Sequence, residues 1–219
     1  MQAVILAAGK GTRLHPLTIS TPKPLIAVGE KPLIEHVLDA LPSAIDELIV
    51  IVNHLREQII EQLGDAWNGI PIRYLVQEPL NGTAGALWLA QEHLHDKFLV
   101  INADDLYTQD DLEQLIKHEW SMLVHEVDRS LTFAALSNLD DCFIQLGPGS
   151  TAVCGAYVLG TTLFEQDPVQ IYVGDHTELG LPQTLERISR KVQIQMVQAT
   201  HWHQVGTHNQ LEAARALTA

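Results

Sequence analysis

The opening of the chain constrains the fold most, because an uninterrupted apolar run leads directly into a basic, glycine-rich loop. The apolar run spans Ala3–Ala8, and the sequence continues Gly9-Lys-Gly-Thr-Arg13. A segment that is apolar on both faces is typical of a central strand in a parallel sheet. Glycines and cationic side chains after such a strand let backbone N–H donors and positive charge approach phosphate oxygens. The opening therefore predicts a buried strand that ends in an anion-binding loop.

Apolar segments alternate with helical patterns over the first half of the chain. Strands are predicted at Val4–Ala7, Glu47–Val52, Ile70–Val76 and Lys97–Asn102, and helices at Pro32–Leu41, Leu55–Leu63, Asn81–Ala90 and Gln109–Glu119. In the second half, strands are predicted at Leu131–Leu136, Ala152–Leu159, Val192–Val197 and Thr200–Val205, and helices at Leu179–Ile188 and His208–Leu217. This order predicts an α/β fold, a Rossmann-like mostly parallel mixed sheet flanked by helices.

Three polar segments follow predicted parallel strands and are expected to meet at one edge of the sheet. They are the loop 9–23, the segment after Val76, and the pair Asp104-Asp105. Ligands of such sheets bind beyond the carboxyl ends of the strands. No linker rich in proline, glycine or serine divides the 219 residues, so a single domain over 1–219 is expected.

Composition and charge exclude several classes of protein. The formal net charge of −14 argues against a nucleic-acid partner, which would select a basic face. Four of the thirteen basic residues nevertheless fall within residues 1–31, where Glu30 is the only acid, so a small anion is expected there. No apolar run is long enough to cross a membrane, and the first residues lack the cationic start of a signal peptide. With only Cys142 and Cys154, a reduced cytoplasmic protein is expected, as a monomer or homo-oligomer.

Two common nucleotide motifs do not fit the glycine loop. The dinucleotide pattern needs a third glycine at the position of Leu14, and the Walker A spacing is absent. The remaining pattern is Leu6-Ala-Ala-Gly-Lys-Gly-Thr-Arg-Leu14 followed by Thr21-Pro-Lys-Pro-Leu25. It resembles the sugar-1-phosphate nucleotidyltransferase family, glucose-1-phosphate thymidylyl- and uridylyltransferases in particular. In size the chain is similar to the single-domain muramate- and mannose-1-phosphate nucleotidyltransferases of that family.

The resemblance implies a reaction between an NTP and a sugar 1-phosphate that gives an NDP-sugar and pyrophosphate. It also implies a nucleotide-binding half (1–127) and an acceptor-binding half (128–219). Nucleotide contacts are implied at Leu6, Ala8, Gly9, Gly11 and Thr12. Arg13 would neutralise the β- and γ-phosphates, and Lys23 would bridge the α-phosphate and the incoming sugar phosphate. An anionic oxygen must attack an anionic phosphorus, so fixed cations are needed to offset the repulsion.

A second motif, Gln77-Glu-Pro-Leu-Asn-Gly-Thr83, implies contacts with the base. In the family a glutamine at this position reads a pyrimidine edge, together with the glycine and threonine that match Gly82 and Thr83. A side-chain amide has both a donor and an acceptor, which suits the imide edge of uracil or thymine. UTP or dTTP is therefore favoured, although the same motif also resembles the guanylyl- and cytidylyltransferase branches.

The resemblance places a Mg²⁺-binding carboxylate at Asp104, which ends a buried strand. Where relatives carry a second acidic ligand, in Trp-x-Asp-x-Gly-Thr, this chain has Gln204, a weaker neutral ligand. Asn102 and Gly155 match acceptor-binding positions, the latter only weakly. His201 and His203 are expected to be structural. The Glu-Lys-Pro segment that helps to hold the sugar phosphate has no counterpart between Thr132 and Thr151.

Two alternatives stay open at this point. The shortened sugar side would also suit a transferase that acts on a small alcohol phosphate such as phosphocholine. Gln204 and the missing Glu-Lys-Pro segment would suit a catalytically weak, nucleotide-binding regulatory protein. Arg13, Lys23 and Asp104 occur together, which favours the active sugar-1-phosphate enzyme.

Overall fold

A computed structural model describes residues 1–131, 135–140 and 143–217. Its strands are β1 (Gln2–Leu6), β2 (Ala27–Val28), β3 (Lys31–Pro32), β4 (Glu47–Val52), β5 (Ala66–Trp67), β6 (Ile70–Val76), β7 (Lys97–Asn102), β8 (Asp105–Tyr107), β9 (Ser121–Leu131), β10 (Ala135–Asp140), β11 (Phe143–Leu146), β12 (Gly149–Gly160), β13 (Val169–Val173), β14 (His176–Gly180), β15 (Gln195–Gln198) and β16 (Trp202–Gln204). Its α-helices are α1 (Leu33–Asp39), α2 (Arg56–Leu63), α3 (Thr83–Trp88), α4 (Gln109–Leu115), α5 (Leu181–Ile188) and α6 (His208–Leu217).

The main sheet has the order β11-β10-β12-β7-β1-β4-β6-β5, and β9 pairs with both β12 and β15. Its centre is parallel, because β7, β1, β4 and β6 run in the same direction. β12 then pairs antiparallel with β7. The predicted mixed sheet with a parallel centre is confirmed. The carboxyl ends of β1 and β7 lie side by side, with Leu6 opposite Asn102.

Helices cover both faces of the sheet, because neighbouring residues of a strand point to opposite faces. Ile5 of β1 packs into a core cluster with residues of α1, α2 and α4, whereas Val4 packs into another with residues of α3 and α5. A third cluster lies beneath the glycine loop, where Leu14 and Val28 pack with Leu211 of α6. The glycine loop is therefore supported from below by the last helix.

Four of the predicted elements have the bounds that the structure shows. Glu47–Val52, Ile70–Val76, Lys97–Asn102 and His208–Leu217 have the predicted bounds. The predicted strand Val192–Val197 lies instead at Gln195–Gln198, where it pairs with β9. Part of the predicted strand Leu131–Leu136 lies outside the described residues. Cys142 also lies outside them. Strand β9 was not predicted, because its second half is mixed in polarity. It forms a strand because it pairs with β12 on one side and with β15 on the other.

None of the helices described here is both long enough and apolar enough to traverse a lipid bilayer.

Candidate active site

A cleft of about 700 Å³ opens at the carboxyl ends of the parallel strands. The glycine loop, the start of α3 and the hairpin of β13 and β14 (the hairpin wall) all contribute residues to its lining. The residues that line it are Leu6, Ala8, Gly9, Lys10, Gly11, Thr12, Gln77, Leu80, Gly82, Thr83, Ala86, Asn102, Asp104, Val173, His176 and Glu178. A smaller cleft of about 230 Å³ adjoins it and contains Arg13, Lys23 and Gly206.

The glycine loop owes its shape to Gly11, which adopts the left-handed conformation with φ +63°. Its carbonyl accepts hydrogen bonds from the Thr18 hydroxyl (2.8 Å) and from the Leu14 amide (2.9 Å). A Cβ at this position would lie 2.9 Å from Cβ of Lys23, closer than side chains normally pack. Glycine is therefore required here both by the backbone conformation and by the close passage of the Lys23 segment.

Three cationic side chains surround the glycine loop, and they differ in their exposure and in their ion pairing. The side chains of Lys10 and Arg13 are exposed, and within the described part of the chain neither has an ion-pair or hydrogen-bond partner. Lys23 is 6% exposed and forms an ion pair with Asp104. Two cations thus remain available to an anionic ligand, while the third is held in place by a carboxylate that also lines the cleft.

The two adjacent aspartates have different environments. The side chain of Asp104 is 35% exposed and faces both clefts. Asp105 is buried and accepts hydrogen bonds from Trp202 Nε1 (3.3 Å) and from the Val205 amide (3.4 Å). Burial, and then the charge of Asp104, raise the pKa of the Asp105 carboxyl above its usual range. Asp105 therefore braces β16 against β8, and Asp104 is the carboxylate that a ligand can reach.

Gln77 lies at the end of β6 with a fixed amide orientation. Its Nε2 donates to Asn81 Oδ1 (2.8 Å) and to the Gly82 carbonyl (2.9 Å). Its side-chain oxygen receives no hydrogen bond from any residue that the structure describes. Because the donor is occupied, the acceptor is the group that Gln77 can offer to a ligand in the cleft.

The segment that precedes α3 is in direct contact with the hairpin. Gly82 has φ +96°, and a Cβ there would lie 2.5 Å from the Leu179 carbonyl oxygen. The Leu179 amide donates to the Asn81 carbonyl (2.7 Å), and the Leu181 amide donates to the Thr83 hydroxyl (3.1 Å). The Thr83 hydroxyl thus serves in this contact, although its residue also lines the cleft.

Asn102 and Gly155 were predicted to contact the acceptor, and the structure brings them together. Asn102 ends β7 and lines the cleft. Gly155, on the neighbouring strand β12, has φ +72°, and a Cβ there would overlap the Asn102 amide. Gly155 is not among the lining residues. The absence of a side chain at Gly155 leaves space for the Asn102 amide.

The chain matches one family model, that of the nucleotidyl transferases, over residues 2–122. The chain belongs to the nucleotidyl transferase family. The match covers the glycine loop, Lys23, the Gln77 motif and Asp104, on which the sequence resemblance was based. The predicted family is thereby confirmed.

Characterised relatives of this nucleotidyl transferase come from several branches. The bifunctional protein GlmU of Methanocaldococcus jannaschii is 37% identical over 141 residues, 64% of this chain and 33% of that protein. The UTP–glucose-1-phosphate uridylyltransferase AglF of Haloferax volcanii is 37% identical over 135 residues, 58% of this chain and 55% of AglF. Mannose-1-phosphate guanyltransferase of Schizosaccharomyces pombe is 40% identical over 110 residues, 48% of this chain and 30% of that enzyme. The match covers 33% and 32% of the length of two GlmU proteins and 51% of a third.

Solved structures share the whole fold of this nucleotidyl transferase. A Bacillus anthracis protein assigned as a glucose-1-phosphate thymidylyltransferase, solved with sucrose, superposes with a TM-score of 0.82 and 24% identity. The superposition covers 100% of this chain and 95% of that one. A UDP-glucose pyrophosphorylase complexed with UDP-glucose gives a TM-score of 0.77 at 18% identity, over 99% of this chain and 97% of that one. At these identities the likeness establishes the fold, including the second half that the family model does not match.

Gln204, like Gly155, is a predicted site residue that lines neither cleft. It lies on β16 opposite Asp105 of β8, is exposed, and accepts a hydrogen bond from Gln210 Nε2 (3.2 Å). Nowhere in residues 1–131, 135–140 and 143–217 do three His, Cys, Asp or Glu side chains cluster as metal ligands. His201 is exposed, and the buried Nε2 of His203 has no hydrogen-bond partner among the described residues.

The hairpin wall of the cleft is the part that sequence reasoning missed. Val173, His176 and Glu178 line the cleft, and His176 Nε2 lies 2.9 Å from Glu178 Oε1. A signal for this hairpin exists in the sequence, because the β-branched and aromatic run Val169–Val173 is followed by Gly174-Asp175, which is typical of a tight turn. The turn predicts the hairpin but not the cleft that it faces.

Proposed function

We propose that this chain transfers a nucleoside monophosphate from an NTP to a sugar 1-phosphate, with UTP or dTTP as the favoured donor. One observation carries the proposal: a single cleft is lined by the glycine loop, Asp104, the Gln77 motif and Glu178 of the hairpin, and Asp104 pairs with Lys23. The related uridylyltransferase and guanyltransferase support this reaction type. Since both halves of the chain line the cleft, the arrangement also supports a nucleotide-binding half (1–127) and an acceptor-binding half (128–219).

In the proposed reaction, an oxygen of the acceptor phosphate attacks the α-phosphorus of the NTP. A new P–O bond forms, the bond from the α-phosphorus to the bridging oxygen of the β-phosphate breaks, and pyrophosphate leaves with the electron pair. Backbone donors of the loop would hold the phosphates, and Arg13, which lines the smaller cleft, would neutralise the departing pyrophosphate. Lys23, buried and oriented by Asp104, supplies a fixed positive charge beside the reacting phosphates.

Mg²⁺ fits this site through Asp104, with substrate phosphates as its other ligands. Magnesium in nucleotide enzymes is held by one or two carboxylates together with phosphate oxygens, so a cluster of three acidic residues is not required. The exposed part of the Asp104 carboxylate faces both clefts, as such a ligand must. When bound, the ion neutralises negative charge on the phosphates. The family resemblance also implied Gln204 as a second ligand, but that residue lines neither cleft, so Asp104 is the protein ligand that we propose.

The lining of the cleft favours a sugar over phosphocholine as the acceptor. Quaternary ammonium groups are recognised by cages of aromatic side chains, whereas the described lining residues include none of Phe, Tyr and Trp. Glu178 and Asn102 instead present carboxylate and amide groups, which suit sugar hydroxyls. The net charge of −14 supports a protein without a nucleic-acid partner. The small-molecule substrates and the low cysteine count support a cytoplasmic location.

The decisive experiment is a pyrophosphate-release screen of four NTPs against common sugar 1-phosphates and phosphocholine, with and without Mg²⁺. Release with UTP or dTTP and a sugar 1-phosphate is expected. Release with phosphocholine alone would establish the small-alcohol transferase instead. NTP binding without release for every acceptor would establish the regulatory protein.

The proposed role of Gln77 predicts a change in the affinity for the NTP. In the variant Gln77→Leu, we expect the KM for UTP or dTTP to rise about tenfold, because an acceptor for the imide N–H is lost and the segment before α3 loses two hydrogen bonds. The KM of the acceptor should change much less. Steady-state kinetics with each substrate varied in turn measures both values. Gln62→Leu, on the exposed surface of α2, is the matched control, and an equal rise in that variant would contradict the assignment.

The hairpin wall makes a prediction about acceptor affinity. In Glu178→Gln, we expect the KM of the sugar 1-phosphate to rise about 10- to 100-fold, since charge-assisted hydrogen bonds to hydroxyls are replaced by neutral ones. The KM of the NTP should stay within a factor of about two. The exposed Glu57→Gln provides the control. A rise confined to the NTP would show that Glu178 contacts the donor instead.

A further inference from the structure

A short network of amide hydrogen bonds holds the turn between β16 and α6. Gln204 Oε1 accepts from Gln210 Nε2 at 3.2 Å. Gln210 Oε1 in turn accepts from the Gly206 amide (3.0 Å) and from the Thr207 hydroxyl (3.1 Å). The Gln210 side chain therefore bridges the end of β16 and the backbone of the turn. Its hydrogen bond to Gln204 fixes the orientation of that side chain.

The turn held in this way is the surface against which Arg13 lies. A Cβ at Gly206 would be 2.9 Å from Arg13 Nη2 and 3.2 Å from Gln210 Oε1. The guanidinium thus lies against the backbone whose amide Gln210 binds. Arg13 and Gly206 line the same 230 Å³ cleft, which also contains Lys23 and Asp104. A shift of the turn would therefore displace the cation at one end of that cleft.

Gln204 itself is poorly placed to contact a ligand. It lines neither cleft, its side chain is exposed, and its oxygen is already used by Gln210. Its partner across the strands is the bracing residue Asp105 rather than the accessible Asp104. The side-chain oxygen that would coordinate a metal is the same atom that orients Gln210.

We propose that Gln204 is a positioning residue, which acts through Gln210 and Gly206 to hold Arg13 where it binds the pyrophosphate end of the nucleotide. The proposal rests on the proposed function for the identity of that ligand. The neutral amide suits this place, because it accepts from Gln210 without adding negative charge beside the cleft that receives phosphates. The network explains why an amide at this position is compatible with an active site of this kind.

The test measures pyrophosphate binding directly, by titration calorimetry in EDTA, for the variants Gln204→Ala and Gln210→Ala. Each is expected to weaken pyrophosphate binding about 3- to 10-fold, because Gln204→Ala removes one hydrogen bond of the positioning chain and Gln210→Ala removes three. The double variant should be no weaker than the worse single variant, because both act through the same turn. In an Arg13→Ala background, Gln204→Ala should have no further effect. Gln198→Ala, an exposed glutamine on β15, serves as the matched control.

A second measurement separates positioning from metal coordination. The Mg²⁺ concentration for half-maximal activity should be unchanged in both single variants. A rise in Gln204→Ala but not in Gln210→Ala would make Gln204 a metal ligand and overturn the proposal. Additive effects of Arg13→Ala and Gln204→Ala on pyrophosphate binding would overturn it as well, as would unchanged binding in both single variants. Thermal unfolding of each variant establishes that the fold is retained.

Failure of the proposed function gives a different result. If the wild-type protein binds pyrophosphate but forms no NDP-sugar with any acceptor, the transferase function fails while the network test still stands. If the wild-type protein binds neither NTP nor pyrophosphate, the proposed function and this inference are both overturned.

Discussion

Replacing Lys23 by alanine is expected to lower the rate of pyrophosphate release by about 10²- to 10³-fold, the usual effect of removing one fixed group that stabilises transition-state charge. Lys23 is the cation that the structure fixes most firmly, because it is buried and paired with Asp104. Its charge is therefore preorganised at the reacting phosphates. The fold should survive, since the carboxylate left behind at Asp104 is 35% exposed and remains hydrated. Stopped-assay pyrophosphate detection under saturating substrates measures the loss.

Lys31→Ala is the matched control for this prediction. Lys31 also pairs with an aspartate, Asp39 at 2.5 Å, but it is exposed and lies outside both clefts. Its removal should leave turnover unchanged, because exposed ion pairs contribute little. Near-wild-type turnover in Lys23→Ala, with Lys31→Ala equally active, would exclude Lys23 from the chemistry.

Replacing Gly82 by alanine is expected to lower kcat/KM for the NTP by about 10²-fold and to destabilise the fold. The backbone at Gly82 has φ +96° and ψ 177°, a combination open essentially to glycine and costing other residues about 1–3 kcal/mol. A Cβ would also meet the Leu179 carbonyl oxygen at 2.5 Å, so the segment before α3 and the hairpin must separate. Even a displacement of about 1 Å at a binding group is enough for a loss of this size.

Gly69→Ala separates the clash from the backbone strain. Gly69 has a similar φ of +86°, but a Cβ there would meet no atom within 4 Å. This control should lower Tm by several degrees, since about 1 kcal/mol corresponds to roughly 2–4 °C in a chain of this size. Its kcat/KM should stay unchanged. If Gly82→Ala kept full kcat/KM despite a lower Tm, the contact between Gly82 and Leu179 of the hairpin would have no part in substrate binding.

Much of the sheet centre was predictable, because its strands are continuous apolar runs whose burial is apparent from the residues themselves. Glu47–Val52 and Lys97–Asn102 show this, as both have the predicted bounds. Strand β9 was not predictable in the same way. Its residues after Val124 are mixed in polarity, and pairing with β12 makes them a strand, whereas β15 pairs with the earlier residues Ser121–Val124.

The same contrast holds within the site. The residue types of the loop and the strand ends indicated Arg13, Lys23, Gln77 and Asp104, and the structure places all four at the two adjoining clefts. Their convergence follows from parallel strands that end at one edge of the sheet. Gln204 was assigned from its place in a motif, yet it lies outside both clefts and binds Gln210. A motif position gives the neighbourhood of a side chain but not the atom that it contacts.

The sequence by itself determined the place of the glycine loop, because a buried strand followed by Gly9, Gly11 and cations is a pattern contained within a few residues. It also determined the family, since the diagnostic residues lie close together along residues 2–122. Only the tertiary structure decided what the loop faces. The hairpin with Glu178 reaches the cleft through bonds such as that from the Leu181 amide to the Thr83 hydroxyl, which joins residues 98 positions apart. Contacts at such separations depend on how the whole chain packs, so no local pattern specifies them.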